Sequence, residues 1–152
     1  MLVGVPASGK STFADQFLKD QPSWKHISSD KWIEHFCSIA GLTYNEGFSQ
    51  FIKDAGRLMN EELASSVKAG LNLVWNQTNL TSDSRKKKLQ SIPKDYSKVC
   101  IYFPKPEDEE WRRRLATRPG KSIPENILDN MVRTVIIPNE AEGFDKVYTF
   151  GD

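Results

Sequence analysis

The residues best suited to chemistry come first in the chain. Gly4-Val5-Pro6-Ala7-Ser8-Gly9-Lys10-Ser11-Thr12 fits the spacing G-x-x-x-x-G-K-[ST] of a phosphate-binding loop. A nucleoside triphosphate carries clustered negative charge that must be held without bulk water. Consecutive backbone N–H groups in a tight loop wrap it, and the positive end of the following helix adds to them. The ATP-binding stretch is thus expected to be Pro6, Ala7, Ser8, Gly9, Lys10, Ser11 and Thr12. Gly4 and Gly9 permit backbone conformations and close approaches that a Cβ would hinder. Lys10 is expected to reach the β- and γ-phosphates, and the Ser11 hydroxyl to serve as a Mg²⁺ ligand.

Further polar groups cluster at what read as strand tips. Trp24 through Asp30 suggests a short strand ending in Ser28-Ser29-Asp30. In an open parallel sheet such tips line the ligand crevice. A carboxylate there can accept the proton of an attacking hydroxyl or hold Mg²⁺ through water. It would equally well cap a helix over Lys31–Phe36. His26 lies within the strand and reads as a packed histidine rather than a base. A second tip, Asn76-Gln77-Thr78-Asn79-Leu80, follows the strand Leu71–Trp75. The run Arg85-Lys86-Lys87-Lys88 beyond it suits either a phosphodiester acceptor or a solvated helix face, with Arg85 nearest the loop. Arg114 and Arg118 stand one helical turn apart before Pro119-Gly120. That arrangement suits a lid, about residues 107–124, that closes arginines over transferring phosphates.

The elements that must position these groups alternate. A helix is expected from Lys10 to about Lys19, broken by Gln21-Pro22. A long one runs from Tyr44 through Val67, with Phe48, Phe51, Ile52, Ala55, Leu58, Met59 and Leu63 in one apolar stripe. Ser97–Phe103 reads as a strand rich in β-branched and aromatic residues, and Lys146–Phe150 as the last strand. A helix from Glu107 through the arginines has an acidic start and a basic end, as the helix dipole favours. Another follows Pro124, with Ile127, Leu128, Met131, Val132 and Val135 as its buried stripe. Alternating strands and helices predict an α/β, three-layer domain on a mostly parallel sheet, with an arginine-bearing helical lid.

Size and composition limit the alternatives. At 152 residues the chain forms a single domain with one substantial core. No apolar run approaches a membrane span, so no membrane partner is expected. The first residues form the phosphate loop, not a leader pattern. The strand before the loop has three residues, so the fold begins abruptly or the numbering starts inside a longer sequence. Cys37 and Cys100 form no metal motif and read as reduced core thiols, which predicts a cytoplasmic setting. A net charge of +1 argues against a general nucleic-acid coat, while leaving room for a local basic groove.

Taken together, the chain resembles the kinase domain of bacteriophage-type 5′-hydroxyl polynucleotide kinases, within a wider group of small P-loop kinases. The resemblance rests on Gly4–Thr12, Ile27-Ser-Ser-Asp30, Gln77-Thr-Asn-Leu80 with Arg85, Arg114 and Arg118 followed by Lys121-Ser-Ile-Pro124, and Pro138 through Glu142-Gly-Phe144. It implies transfer of the ATP γ-phosphate to 5′-OH ends of DNA or RNA, with ATP and Mg²⁺ required. Asp30 would be the general base. Lys10 and Arg118 would be catalytic, and Arg114 a neighbouring donor-phosphate contact. Gln77, Thr78, Asn79 and Arg85 would join Asp30 on the acceptor side. Separate phosphatase or ligase chains would complete end repair, in the host cytoplasm if the chain is phage-encoded. Two departures stand out. Ile33 replaces an arginine that holds the acceptor's phosphate in the phage enzymes. Asn76-Gln77 stands where relatives often carry an aspartate. These keep two rivals open, a small-molecule kinase acting on a nucleoside, nucleotide or sugar and a non-catalytic nucleotide-binding module.

Overall fold

The computed structural model describes residues 1–151. Five strands are all parallel: β1 (Leu2–Val3), β2 (Trp24–Ile27), β3 (Asn72–Trp75), β4 (Val99–Tyr102) and β5 (Lys146–Thr149). β1 pairs with β4 and β4 with β5, while β2 pairs with β3. A bridge between Leu2 and Asn76 joins the two sets, so the order across the molecule is β2-β3-β1-β4-β5. Six helices connect them: α1 (Lys10–Leu18), α2 (Ser29–Ala40), α3 (Tyr44–Lys68), α4 (Ser82–Gln90), α5 (Asp108–Ala116) and α6 (Glu125–Thr134). This is the three-layer P-loop kinase fold.

The period of two in the strands sorts the core into layers. Leu2, Val74 and Ile101 face α1, where Phe13, Ala14 and Leu18 meet them together with Phe103. Val3, Cys100 and Tyr102 face the other way, toward Leu89 of α4 and Phe144. Ile27 and Trp75 pack under Met59 and Leu63 of α3. Both cysteines are buried free thiols. A separate cluster sits beyond the carboxyl edge of the sheet. There Val5 and Leu80 meet Trp111 and Leu115 of α5 and Leu128 and Met131 of α6. The lid is therefore fastened by apolar contact to the phosphate loop itself.

Local chemistry fixes the ends that matter. At the start of α3, Thr43 Oγ1 accepts from the Glu46 backbone N–H, and Glu46 returns the contact to the Thr43 N–H at 2.7 Å. Tyr44 and Asn45 are thereby held as the first helical turn. Two boundaries differ from expectation. β2 ends at Ile27, and Asp30 lies in the first turn of α2 with Ser28 as its N-cap residue. Asp30 is thus neither a strand residue nor the cap. α5 stops at Ala116, because the chain turns into Pro119-Gly120, where Gly120 has φ 63°. Arg118 sits in that turn rather than on the helix face of Arg114. No described helix is long and apolar enough to cross a membrane.

Candidate active site at the carboxyl edge

The phosphate loop leaves β1 at the centre of the sheet. The Gly4 N–H donates to the Thr78 carbonyl at 3.0 Å, tying the loop to the exit of β3. The two motif glycines are needed for different reasons. A Cβ on Gly4 would stand 2.6 Å from the Phe103 carbonyl oxygen and 2.8 Å from Ser8 Oγ, so space forbids one. Gly9 has room around it but a φ of 104°, so conformation requires it at the start of α1. Ala7 also adopts a left-handed backbone, at φ 61°. Trp111 of the lid helix donates its indole N–H to the Pro6 carbonyl at 2.7 Å, clamping the loop from above.

Lys10 lies buried beneath the loop. Its Nζ donates to the carbonyls of Gly4 at 2.8 Å and Val5 at 2.7 Å, and to Ser8 Oγ at 3.3 Å. Burial draws its pKa down to about 8, the nearby Arg118 guanidinium adds to the fall, and Asp30 opposes it. Those opposed influences place Arg118 and Asp30 both within electrostatic reach of one ammonium. Arg118 Nη1 is buried with no hydrogen-bond partner. A guanidinium N–H withheld from water in this way is paired in most folded proteins, so an acceptor is wanting there, and a phosphate oxygen would supply one. Arg114 reaches the Gly9 side of the loop, its Nε donating to Glu110 Oε1 at 2.6 Å.

Ser11, at the first turn of α1, accepts from Asn76 Nδ2 at 3.2 Å. The same amide nitrogen lies 3.1 Å from His26 Nε2. Burial lowers the His26 pKa, which favours the neutral ring as acceptor and makes His26 a support for Asn76, not a base. Among the described residues no three His, Cys, Asp or Glu side chains converge as a cation cage. The donor set suits Mg²⁺ held by a hydroxyl and phosphate oxygens, an ion that keeps much of its water.

On the acceptor side the expected residues separate. Gln77 accepts from the Trp75 indole N–H and donates to Ser29 Oγ, both at 3.0 Å, and stays half-buried at the crevice beside Thr78. Asn79 and Arg85 do not face an acceptor. Asn79, at φ 51°, turns inward, donates to the Leu2 carbonyl at 2.7 Å and accepts from Lys88 Nζ. Arg85 is 0% exposed. Its Nε and Nη2 form a two-pronged pair with Glu142, each contact 2.6 Å, and Nη1 donates to the carbonyls of Asn79 and Leu80. The expectation that Arg85 meets an acceptor is corrected: a buried guanidinium with a buried carboxylate partner is committed to the fold. Lys86 and Lys87 are solvated, the bland alternative for this run. Ile33 is also fully buried, packed with Cys37 and Ala55 between α2 and α3.

What surrounds Asp30 instead comes from α3 and the lid. The Tyr44 hydroxyl donates to Asp30 Oδ1 at 2.7 Å. Lys121 Nζ lies 3.6 Å from Asp30 Oδ2, pairs with Glu34, and sits 4.1 Å from the centre of the Tyr44 ring. Asn45 and Ser122 grip each other through three hydrogen bonds of 2.7–3.0 Å, and the Asn45 N–H donates to the Gly120 carbonyl. Sequence reasoning missed Tyr44, Asn45 and Lys121 as site residues. Tyr44 reads as the start of an apolar stripe, and Lys121 stands only in the stretch that follows the lid arginines.

The chain is 24% identical over its whole length to heterogeneous nuclear ribonucleoprotein U-like protein 2 of Mus musculus, and 23% identical to the Homo sapiens protein of that name. It covers 21% of each of those proteins. It is 24% identical over 95% of its length to L-seryl-tRNA(Sec) kinase of Methanococcus maripaludis, of which it covers 55%. A family model described as an AAA domain (AAA_33) matches residues 1–137, taking in the loop, the Asp30 turn, both polar tips and the arginine lid. The chain belongs to this AAA domain family.

Proposed function

We propose that this domain is an ATP-dependent phosphotransferase that moves the γ-phosphate to a hydroxyl group, and that its acceptors are 5′-hydroxyl ends of DNA or RNA. The observation that carries the reading is that an arginine and a carboxylate both lie within electrostatic reach of one buried ammonium. Arg118 and Asp30 both act on the buried Lys10 ammonium, and Arg118 keeps a buried, unpartnered N–H there. A site for a donor phosphate beside a carboxylate is what in-line transfer to a hydroxyl needs. Two of the similar proteins are named for RNA, a ribonucleoprotein and a tRNA kinase, which supports a nucleic-acid acceptor.

In this mechanism Pro6 through Thr12 enclose the donor phosphates, and Lys10 leaves the carbonyls of Gly4 and Val5 to meet them. Ser11, braced by Asn76, would hold Mg²⁺, which when bound neutralises phosphate charge. Asp30 accepts the hydroxyl proton as the new O–P bond forms and the bond between the γ-phosphorus and the β,γ-bridging oxygen breaks, with ADP as the leaving group. Arg118, with Arg114 behind it, stabilises the charge that gathers on the transferring group. Closure of the lid around Gly120 keeps water from competing as acceptor.

One observation favours a second acceptor class. Ile33 carries no charge and Arg85 is turned into the core, so neither offers a cation to a phosphate next to the acceptor hydroxyl. A small hydroxyl compound without such a phosphate would need none. Transfer from γ-labelled ATP to 5′-OH DNA and RNA oligonucleotides, with nucleosides, nucleotides, sugars and serine alongside and Asp30→Asn as control, tests both. Labelled oligonucleotide from the wild type alone supports the first reading. Label confined to a small acceptor replaces it with the second, and turnover that survives Asp30→Asn refutes the base assignment.

A further inference from the structure

The side chains around Asp30 suggest a task for a residue that the phosphate-loop motif does not name. A general base works only if one lone pair of its carboxylate faces the hydroxyl at the moment of transfer, and an Asp side chain rotates about two bonds. Asp30 lies in the first turn of α2 with about half its side chain exposed, so its own helix does not hold it. The support comes from across the crevice. Tyr44 is fixed by the capping box of α3, and its hydroxyl reaches Asp30 Oδ1 at 2.7 Å. Lys121 covers the Tyr44 ring from the lid side, and its ammonium lies 3.6 Å from the other oxygen, Oδ2.

We propose that Tyr44 is the positioning residue of the acceptor side: its hydroxyl pins one oxygen of Asp30, and its ring forms the seat on which lid residue Lys121 docks. The inference rests on the phosphotransferase reading above, since it gives Asp30 its task. It accounts for the split among the candidate acceptor residues. With Ile33 and Arg85 turned inward, alignment of Asp30 falls to the first turn of α3. The same turn grips the lid through Asn45 and Ser122, so lid docking and carboxylate alignment depend on one structural unit. The charged groups facing the Tyr44 phenol agree with this assignment. Asp30 and Glu34 from α2 hold its proton on, with burial the largest influence, and Arg118 from the lid opposes them.

The test compares wild type with Tyr44→Phe and Asp30→Asn. Tyr44→Phe keeps the ring and its contact with Lys121 and removes only the hydroxyl. Transfer from γ-labelled ATP to a 5′-OH oligonucleotide is expected to lose about tenfold to a hundredfold in kcat, the range of a hydrogen bond to a charged group, with KM for ATP and acceptor unchanged. Lys121→Met in the Tyr44→Phe background should then lose less than in wild type, because the two act through one carboxylate. A second readout needs no turnover. In an alkaline titration of tyrosinate absorbance, the Tyr44 phenol should titrate above an ordinary phenol in wild type, and Asp30→Asn should move it downward while burial keeps it above the ordinary value. A Tyr44→Phe enzyme with wild-type kcat overturns the inference while leaving Asp30 as base. So does a change confined to KM, or a phenol that titrates normally in wild type. Turnover by Asp30→Asn, or no transfer by the wild type to any hydroxyl, overturns the underlying reading and this inference with it.

Discussion

Lys10 should make the protein less stable at neutral pH than it would be without the charge. Its ammonium is 7% exposed and has only neutral oxygens within hydrogen-bond distance: two carbonyls and a hydroxyl. The pKa falls from the ordinary 10.5 to about 8, with burial as the main cause. That fall corresponds to about 3 kcal/mol of differential stability between the protonated and neutral forms. The sign follows from proton counting. Below pH 8 both the folded and unfolded chains carry the proton, and the folded one bears the full penalty. Between pH 8 and 10.5 the unfolded chain binds more protons than the folded one, so stability rises with pH. Above 10.5 the penalty is gone.

Lys10→Met removes the charge at similar length and isolates this effect. Urea unfolding of both proteins from pH 7 to 10.5 should show the stability of the wild type relative to Lys10→Met rising by about 3 kcal/mol across that window. Changes at other groups cancel in the difference. A flat or falling difference would refute the argument that the ammonium is held against its own solvation. The same reasoning sets the ligand response. Donor phosphates restore the opposite charge, so ATP binding should take up a proton near pH 8 to 9 and weaken as pH rises past it. Calorimetry in buffers of different ionisation enthalpy reads that proton directly.

Three other outcomes follow from the packing and the site. Arg85→Met should destabilise the domain by about 3–5 kcal/mol by stranding the Glu142 carboxylate, and adding Glu142→Leu should recover much of it, as thermal or urea unfolding will show. Gly4→Ala should cost about 1–3 kcal/mol because its Cβ meets the Phe103 carbonyl, whereas Gly56→Ala, with open space at a helix interior, should stabilise by up to about 1 kcal/mol. Arg118→Ala should lower kcat about a thousandfold or more, the range of arginine fingers, and leave the unfolding midpoint near that of the wild type, since it removes a buried N–H that has no hydrogen-bond partner.

The donor half of the site was legible because it is written locally. A nine-residue motif between a strand and a helix specifies its own geometry, and the steric demand at Gly4 and the conformational demand at Gly9 both reduce to glycine in the sequence. The alternation of strands and helices likewise gave the layers. Helix ends were harder: the acidic start and basic run of α5 suggested continuation through Arg118, but a Pro-Gly turn two residues on overrode it. The acceptor half was not legible, because its logic is long-range. Arg85 looks like a surface cation until Glu142, 57 residues later, is brought against it. The basic run gives no sign that Arg85 and Lys88 face inward while Lys86 and Lys87 face water. Glu142-Gly-Phe144 stands out as a motif, but Glu140 and Asp145 flank it, so the sequence does not single out which acid meets a buried cation.

The inward turn of Ile33 and Arg85 has a consequence for how an acceptor would be held. Among the described residues, the cation closest to the Asp30 carboxylate is Lys121, and it belongs to the lid. Arg118, which faces the donor side, belongs to the same eight-residue connection between α5 and α6. On the proposed reaction, these two positive charges therefore join Lys10 and Arg114 together, when that connection docks on Tyr44 and Asn45. Affinity for a phosphate beside the acceptor hydroxyl would depend on closure instead of on a preformed basic groove. On that reading, a lid built this way would couple acceptor binding to alignment of the base. An enzyme with a fixed arginine at position 33 would lack that coupling, because its acceptor site would stand ready whether the lid were docked or not.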